Sequence, residues 1–530
     1  MHASFVPSSI LSEILPAVRP AVGRRSGWLL GAALLAALSP AAVLAVTREE
    51  IHRREWLQLT APGLTIISDA SAAQVKKWAA EIEWFRRAQQ TALALPAPAR
   101  EKPATIFLFS SDGALRPFLP LVDGKPLRVS ALFAESIGAN LGAVPLSGSR
   151  FDTRERLYHE LTHWYLRRAR VEIPLWFEEG VAQVMESFTL QGDGFRLGEP
   201  PREAFELVRI KGTPPLLPLL RQTELDYSRA GWKHGRTDLF YAQSAALTNM
   251  LLFGTKGGSL AQLGSYLAAL RQNLPAESAF AAGFGVSVEE AQARLDTYIR
   301  SPRWDISTSK LDRKIDENAW PLAALSGSAL DRSMAELLIA TEHGDDALPL
   351  LAAVLAANPG DIEALQLKAS ALVRKGGPEL TDEALGALVK AYRAGSRNAW
   401  ICSWLGFAAL DRSLVDLPDA ATHRPVRALV LFQQALAADP GMKFAYDGIA
   451  ALTQTQSELS PVERALLADA ARVSPGSPAV QIALAKRETI DGQPDEARVR
   501  LERLLREQPA LPMQVRSQAK RLLNGLPDAK

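Results

Sequence analysis

His159-Glu160-Leu161-Thr162-His163 sets two imidazoles and a carboxylate side by side in a 530-residue chain that holds only seven histidines. On a helix, residues four apart lie on one face, a single turn from each other. Both rings can then reach one zinc ion at about 2.0–2.1 Å from each nitrogen. Glu160 stands beside them as a proton acceptor. The chemistry this pattern can perform is hydrolysis by a water that zinc acidifies and the carboxylate deprotonates.

The motif has to be carried by a helix, and its flanks predict one. Asp152 and Glu155 stand in the N-cap and N3 relation of a capping box. Leu157, Leu161 and Trp164 follow the i, i+4, i+7 spacing of a core-facing stripe, with the histidines on the other side. Arg167, Arg168 and Arg170 crowd the C-terminal end, where the helix dipole favours cations, and Pro174 closes the segment. A catalytic zinc takes three protein ligands and a water, so one more donor is needed. Beyond Pro174, Phe177, Val181, Val184 and Phe188 make a second helical stripe, while Glu179, Gln183 and Glu186 share the opposite side. A second helix crossing the first can aim Glu179 at the metal, with Gln183 and Glu186 behind it as hydrogen-bond partners for the histidines. Glu178 lies about 100° round the helix from Glu179, so only one of the pair can bind.

His-Glu-x-x-His followed by Trp176-Phe177-Glu178-Glu179-Gly180-Val181-Ala182 resembles the gluzincin metallopeptidases, in particular the bacterial peptidase MA-like group. The resemblance covers roughly residues 50–300 in overall order, and only its zinc segment is sharp. It implies that Glu179, directly before the glycine, is the third zinc ligand, that Glu160 is the general base, and that a peptide bond is cleaved. Leu239-Phe240-Tyr241-Ala242-Gln243-Ser244 is similar to the family's helix after the zinc helices. A tyrosine there stabilises the oxyanion in related aminopeptidases, and Tyr241 is the matching residue. The 16 residues from His163 to Glu179 are fewer than in the best-known gluzincins, so the intervening loop must be compact. The Glu-Gly match selects Glu179 over Glu178.

Arg19, Arg24 and Arg25 precede an apolar run from Trp28 to Leu38 and then Val43-Leu44-Ala45, which reads as a secretory signal removed after Ala45. The expected location is periplasmic or secreted, an uncleaved membrane anchor being the alternative. Cys402 is the only cysteine, so no intramolecular disulfide can form. A formal charge of +2 without a long basic run beyond the leader argues against nucleic acid as a partner. Nothing after the leader is long and apolar enough to span a membrane.

Leu64–Ser68 and Ala104–Phe109 read as strands, with a helix over Ala70–Thr91 between them. Val129–Phe133 and Ala139–Pro145 are candidate strands before the zinc helix, with Leu141–Val144 as the cleft edge that pairs with an extended substrate. Residues 245–300 look helical, and His234 falls in a loop. Residues 303–328 are polar and read as a linker. Beyond them, Ala/Leu-rich helices are punctuated by Asn358-Pro359-Gly360, Asp439-Pro440-Gly441, Ser474-Pro475-Gly476 and Gln508-Pro509. The last three prolines recur at intervals of 35 and 34 residues, the tetratricopeptide period. The longer first interval accommodates two repeats and an insertion at Asp416–Pro425.

The expected architecture is a signal peptide (1–45), an α+β zincin-like catalytic domain with a small mixed sheet and active-site helices (46–302), a linker (303–328), and an all-α tetratricopeptide-like solenoid (329–530). The expected function is zinc-dependent hydrolysis of a peptide or protein substrate. The repeats would dock substrates or a protein partner. The competing expectation is a catalytically inactive zincin-fold protein whose repeats carry the function.

Overall fold

The computed structural model describes residues 46–93, 103–122, 125–126, 131–147, 150–166, 173–199, 202–222, 236–254, 260–272, 274–301, 306–310, 315–316, 318–376, 380–410, 427–508 and 511–527. The expected signal sequence, the Arg167–Arg170 cluster, His234 and the Asp416–Pro425 insertion lie outside the described residues.

After a short capped helix, α1 (Arg48–His52), the chain enters a six-stranded mixed sheet. Its strands are β1 (Trp56–Ala61), β2 (Leu64–Ser68), β3 (Ala104–Phe109), β4 (Leu132–Glu135), β5 (Asn140–Pro145) and β9 (Leu322–Leu325), in the order β9-β1-β2-β3-β5-β4. β2, β3 and β5 run parallel, and the remaining neighbours pair antiparallel. The hairpin between β1 and β2 turns at Pro62-Gly63, where Gly63 takes a positive φ of 69°.

Alternate residues of the strands face opposite sides, and both sides are covered. Ile66, Ile106, Leu108 and Val144 pack under α2 (Ala72–Leu93) and α3 (Arg150–Leu166). Ile67, Phe107, Phe109, Leu141 and Ala143 face the other way, onto Leu330, Met334, Leu338 and Leu351 of α11 (Gly327–Ala340) and α12 (Gly344–Ala357). Burial on both faces is why the parallel strands read as continuous apolar runs.

α3 leads into α4 (Leu175–Met185) and a three-stranded antiparallel sheet of β6 (Thr189–Gln191), β7 (Gly194–Leu197) and β8 (Ser307–Lys310). Between β7 and β8 come α5 (Arg202–Lys211), α6 (Leu216–Arg221), α7 (Arg236–Phe253), α8 (Leu260–Arg271), α9 (Ala276–Phe284) and α10 (Val288–Arg300).

Three expectations need correction. The 303–328 segment is not an irregular linker: β8 pairs with β7 and β9 with β1, so it closes one edge of each sheet. β8 is four polar residues, Ser-Thr-Ser-Lys, and β9 is only four residues long, so neither shows the alternation of a longer strand. The sheet edge is β4 rather than Leu141–Val144, because β5 lies between β3 and β4. Helix α3 starts at Arg150, so Asp152 sits in its first turn rather than at the N-cap.

The C-terminal part is tetratricopeptide-like, a succession of helix pairs. After α11/α12 follow α13 (Ile362–Lys375) and α14 (Asp382–Arg393), then α15 (Ala399–Leu410) and α16 (Ala428–Ala438). α17 (Lys443–Gln454) and α18 (Pro461–Val473), α19 (Pro478–Ile490) and α20 (Pro494–Glu507), and α21 (Met513–Asn524) complete it. The Asn/Asp-Pro-Gly turns stop helices by a local device: Asn358 and Asp439 each accept a bond from the N–H of the following glycine, at 3.2 and 2.9 Å. Between pairs, the Phe432 ring of α16 fills the space left by Gly406 and Gly448 on α15 and α17. Among the described residues no helix is long and apolar enough to cross a membrane.

Candidate metal centre

α3 carries His159, Glu160 and His163, and its rotation is fixed against α2 by buried polar contacts. Gln89 donates to the Thr162 hydroxyl at 2.8 Å, and that hydroxyl donates to the Tyr158 carbonyl at 2.7 Å. The Tyr158 hydroxyl donates to Glu81 at 2.7 Å, Arg154 pairs with the same carboxylate, and the Tyr158 ring stacks on Phe85 at 4.2 Å. With Leu157 and Leu161 seated in the core, the histidines are turned to the opposite side.

α4 crosses α3 with Trp176, Phe177, Val181 and Val184 buried. Its Gly180 answers a steric demand. A Cβ there would lie 2.5 Å from the Ser244 carbonyl oxygen and 2.2 Å from the Thr248 hydroxyl of α7. Only a residue without a side chain lets α7 come this close to the turn that carries Glu179.

The crossing brings His159, His163 and Glu179 together, all three buried, with donor atoms within 4.8 Å of one another. Glu179 Oε2 lies 3.4 Å from His159 Nε2 and 3.5 Å from His163 Nε2. Those separations are long for hydrogen bonds, and all three atoms are buried without a hydrogen-bond partner. Ligands at 2.0–2.1 Å around a tetrahedral ion stand about 3.3–3.4 Å apart, and the two Glu179–histidine separations are close to that spacing. The outer ring nitrogens are engaged by carboxylates. His159 Nδ1 is 2.5 Å from Glu186 Oε1, and His163 Nδ1 is 3.1 Å from Glu178 Oε1. Such contacts orient the rings and leave Nε2 free to face an ion.

The electrostatics agree. Burial opposes a charge on His159, yet the carboxylates of Glu179 and Glu186 outweigh it and carry its pKa up to about 9. His163 is likewise raised well above its ordinary value, against burial, by Glu179 and Glu178. Burial pushes Glu179 the other way, but His163 and His159 hold it down at about 2. A buried cluster that draws protons this strongly is a site that a divalent cation can fill in their place.

Glu160 is buried on α3 beside its two histidines. Tyr241 is buried on α7, three residues before Ser244, whose backbone abuts Gly180. Glu186 takes the place behind His159 expected of it, whereas half-buried Gln183 is not the partner of either Nδ1. Glu178 is the residue that sequence reasoning passed over. The missed signal was the Glu178-Glu179 pair itself, whose side chains reach opposite nitrogens of one ring.

No protein-family model matches the chain. No curated protein is similar to it either. Among solved structures it is similar to the crystal structure of YrrB, a TPR protein with an unusual peptide-binding site. That match has 18% identity and a TM-score of 0.29, and covers 37% of this chain and 92% of that one. What makes the C-terminal part tetratricopeptide-like is its own succession of paired helices.

Proposed function

We propose that this chain is a zinc-dependent peptidase of the gluzincin type, exported to the periplasm or beyond, whose repeat array docks substrates or a protein partner. The observation that carries the proposal is the convergence of three buried atoms without a hydrogen-bond partner, His159 Nε2, His163 Nε2 and Glu179 Oε2, with the carboxylate oxygen 3.4 and 3.5 Å from the two ring nitrogens. Two imidazoles, one carboxylate and an open position form the donor set of a catalytic zinc. Zinc bound there would supply a Lewis acid and lower the pKa of water towards ~7.

The protein's own groups account for the rest. Glu160 accepts the proton of the attacking water and returns it to the leaving amine. Glu186 and Glu178 keep the two rings in the tautomer that presents Nε2. The Tyr241 hydroxyl donates to the developing oxyanion. β4, the sheet edge, offers its backbone to an extended peptide, which binds by main-chain hydrogen bonds whatever its sequence.

The test combines metal analysis of the full chain with cleavage of a mixed peptide library by wild type and Glu160→Gln. Both should hold about one zinc per chain, the stoichiometry of a single three-ligand site, and only wild type should cleave. Zinc without Glu160-dependent cleavage would overturn the peptidase reading and leave a binding protein whose repeats carry the function.

A further inference from the structure

The repeat array reaches back across the sheet and grips the turn between β4 and β5. Ser136 is the centre of that turn. Its hydroxyl accepts from the N–H groups of Gly138 and Ala139 at 3.0 and 2.9 Å, and its backbone N–H donates to the Ala139 carbonyl at 2.9 Å. The hydroxyl proton is then given to Glu336 of α11. A Cβ on Gly138 would lie 3.2 Å from the same carboxylate, so the turn is seated closely against it.

Asn398 supplies a second hold. Its Nδ2 donates to the Ile137 carbonyl at 2.9 Å, while its Oδ1 caps α15 by accepting from Trp400 and Ile401. Ile137 and Leu132 are buried in the core shared by the sheet and the first repeat helices. Two separate helix pairs of the array therefore hold a hairpin whose outer strand has a partner on one side only. The same hairpin runs into the metal helix: β5 ends at Pro145, whose carbonyl accepts from Thr153 of α3 at 3.4 Å.

A four-residue edge strand frays readily, and ordering it on binding weakens affinity. We propose that Glu336 and Asn398 are positioning residues through which the repeat array holds β4 ready for an incoming extended peptide. This rests on the peptidase reading for its substrate, but the grip itself can be measured without one.

The experiment uses the full chain as wild type, Glu336→Ala/Asn398→Asp, and Glu336→Gln. Asn398→Asp keeps the oxygen that caps α15 and removes the donor to Ile137. Glu336→Gln keeps an acceptor for Ser136 and should behave as wild type. In the double variant, backbone amide exchange over residues 132–139 should accelerate about tenfold, as expected for two lost hydrogen bonds. KM for library peptides should rise about tenfold with kcat within about twofold. Asn398→Asp alone, the milder change, should move both readouts in the same direction if the double variant folds poorly. Unchanged exchange overturns the grip. Faster exchange with unchanged KM, or a loss in kcat alone, overturns the positioning role. Absence of any Glu160-dependent cleavage in wild type overturns the peptidase reading and the substrate role with it, whatever exchange reports.

Discussion

Where α3 crosses α4, buried polar atoms from two helices converge on one point with no hydrogen-bond partner. In the repeat array several polar groups are tied off close to home. Asn358 and Asp439 close their own turns, and Ser460 and Glu463 form a capping box. Unpartnered atoms occur there too, such as Trp404 Nε1 and Arg374 Nε, but they belong to separate helices. Local satisfaction stabilises a fold, whereas a shared deficit is useful only to something that arrives from outside. The difference separates polar groups that are satisfied within a turn from polar groups that share one deficit.

The sharpest break between the regions is expected at Glu160. Glu160→Gln should lower kcat/KM by about 10²–10⁴, the usual contribution of a general base, with zinc content and melting temperature unchanged. A matching loss of metal would make Glu160 a structural residue. Next come the carboxylates behind the rings. Glu186→Gln or Glu178→Gln should weaken zinc binding about 10–100-fold in a competitive chelator titration. If only one does so, the other contact is incidental.

The glycines sharpen the comparison. Gly180→Ala forces a methyl into the backbone of α7, and Gly448→Ala forces one to 2.2 Å from the Phe432 ring. Each should destabilise by about 1–3 kcal/mol in denaturant titrations. Only Gly180→Ala should also reduce zinc binding, because only it shifts the helix that carries Glu179.

The smallest effect is the pH response of the metal-free protein. His159 sits at about 9 in the fold against an ordinary 6.5. Its contribution is complete below pH 6.5 and lost as pH rises through about 9. Zinc needs the deprotonated ring, so its affinity rises over the same window. The chelator-treated chain should melt a few degrees lower at pH 9 than at pH 6.5, and the zinc-loaded chain should not. Equal shifts in both would remove this electrostatic account.

Much of the site was legible because it is local. His159 and His163 share a face by helical spacing alone, and the Glu179/Glu186 stripe follows from the same periodicity. The β1–β2 hairpin was legible too, in the alternation from Trp56 to Ala61 and the Pro62-Gly63 turn, yet it went unread. Glu178 was not legible in the same way. A helical wheel sets it about 100° from Glu179, and only the position of His163 between them gives both a ring nitrogen to meet.

The sequence by itself determined the residue types of the candidate site, the helix that bears its histidines and the repeat punctuation, since each depends on residues within a turn or two of one another. The crossing of α3 with α4, the close approach that requires Gly180, and the pairing of β9 with β1 were decided by tertiary structure. So was the burial of one sheet face beneath the first repeat helices. Those contacts join residues tens to hundreds of positions apart. No local pattern records them, because a sheet edge or a helix face is only half a contact until its distant partner packs against it.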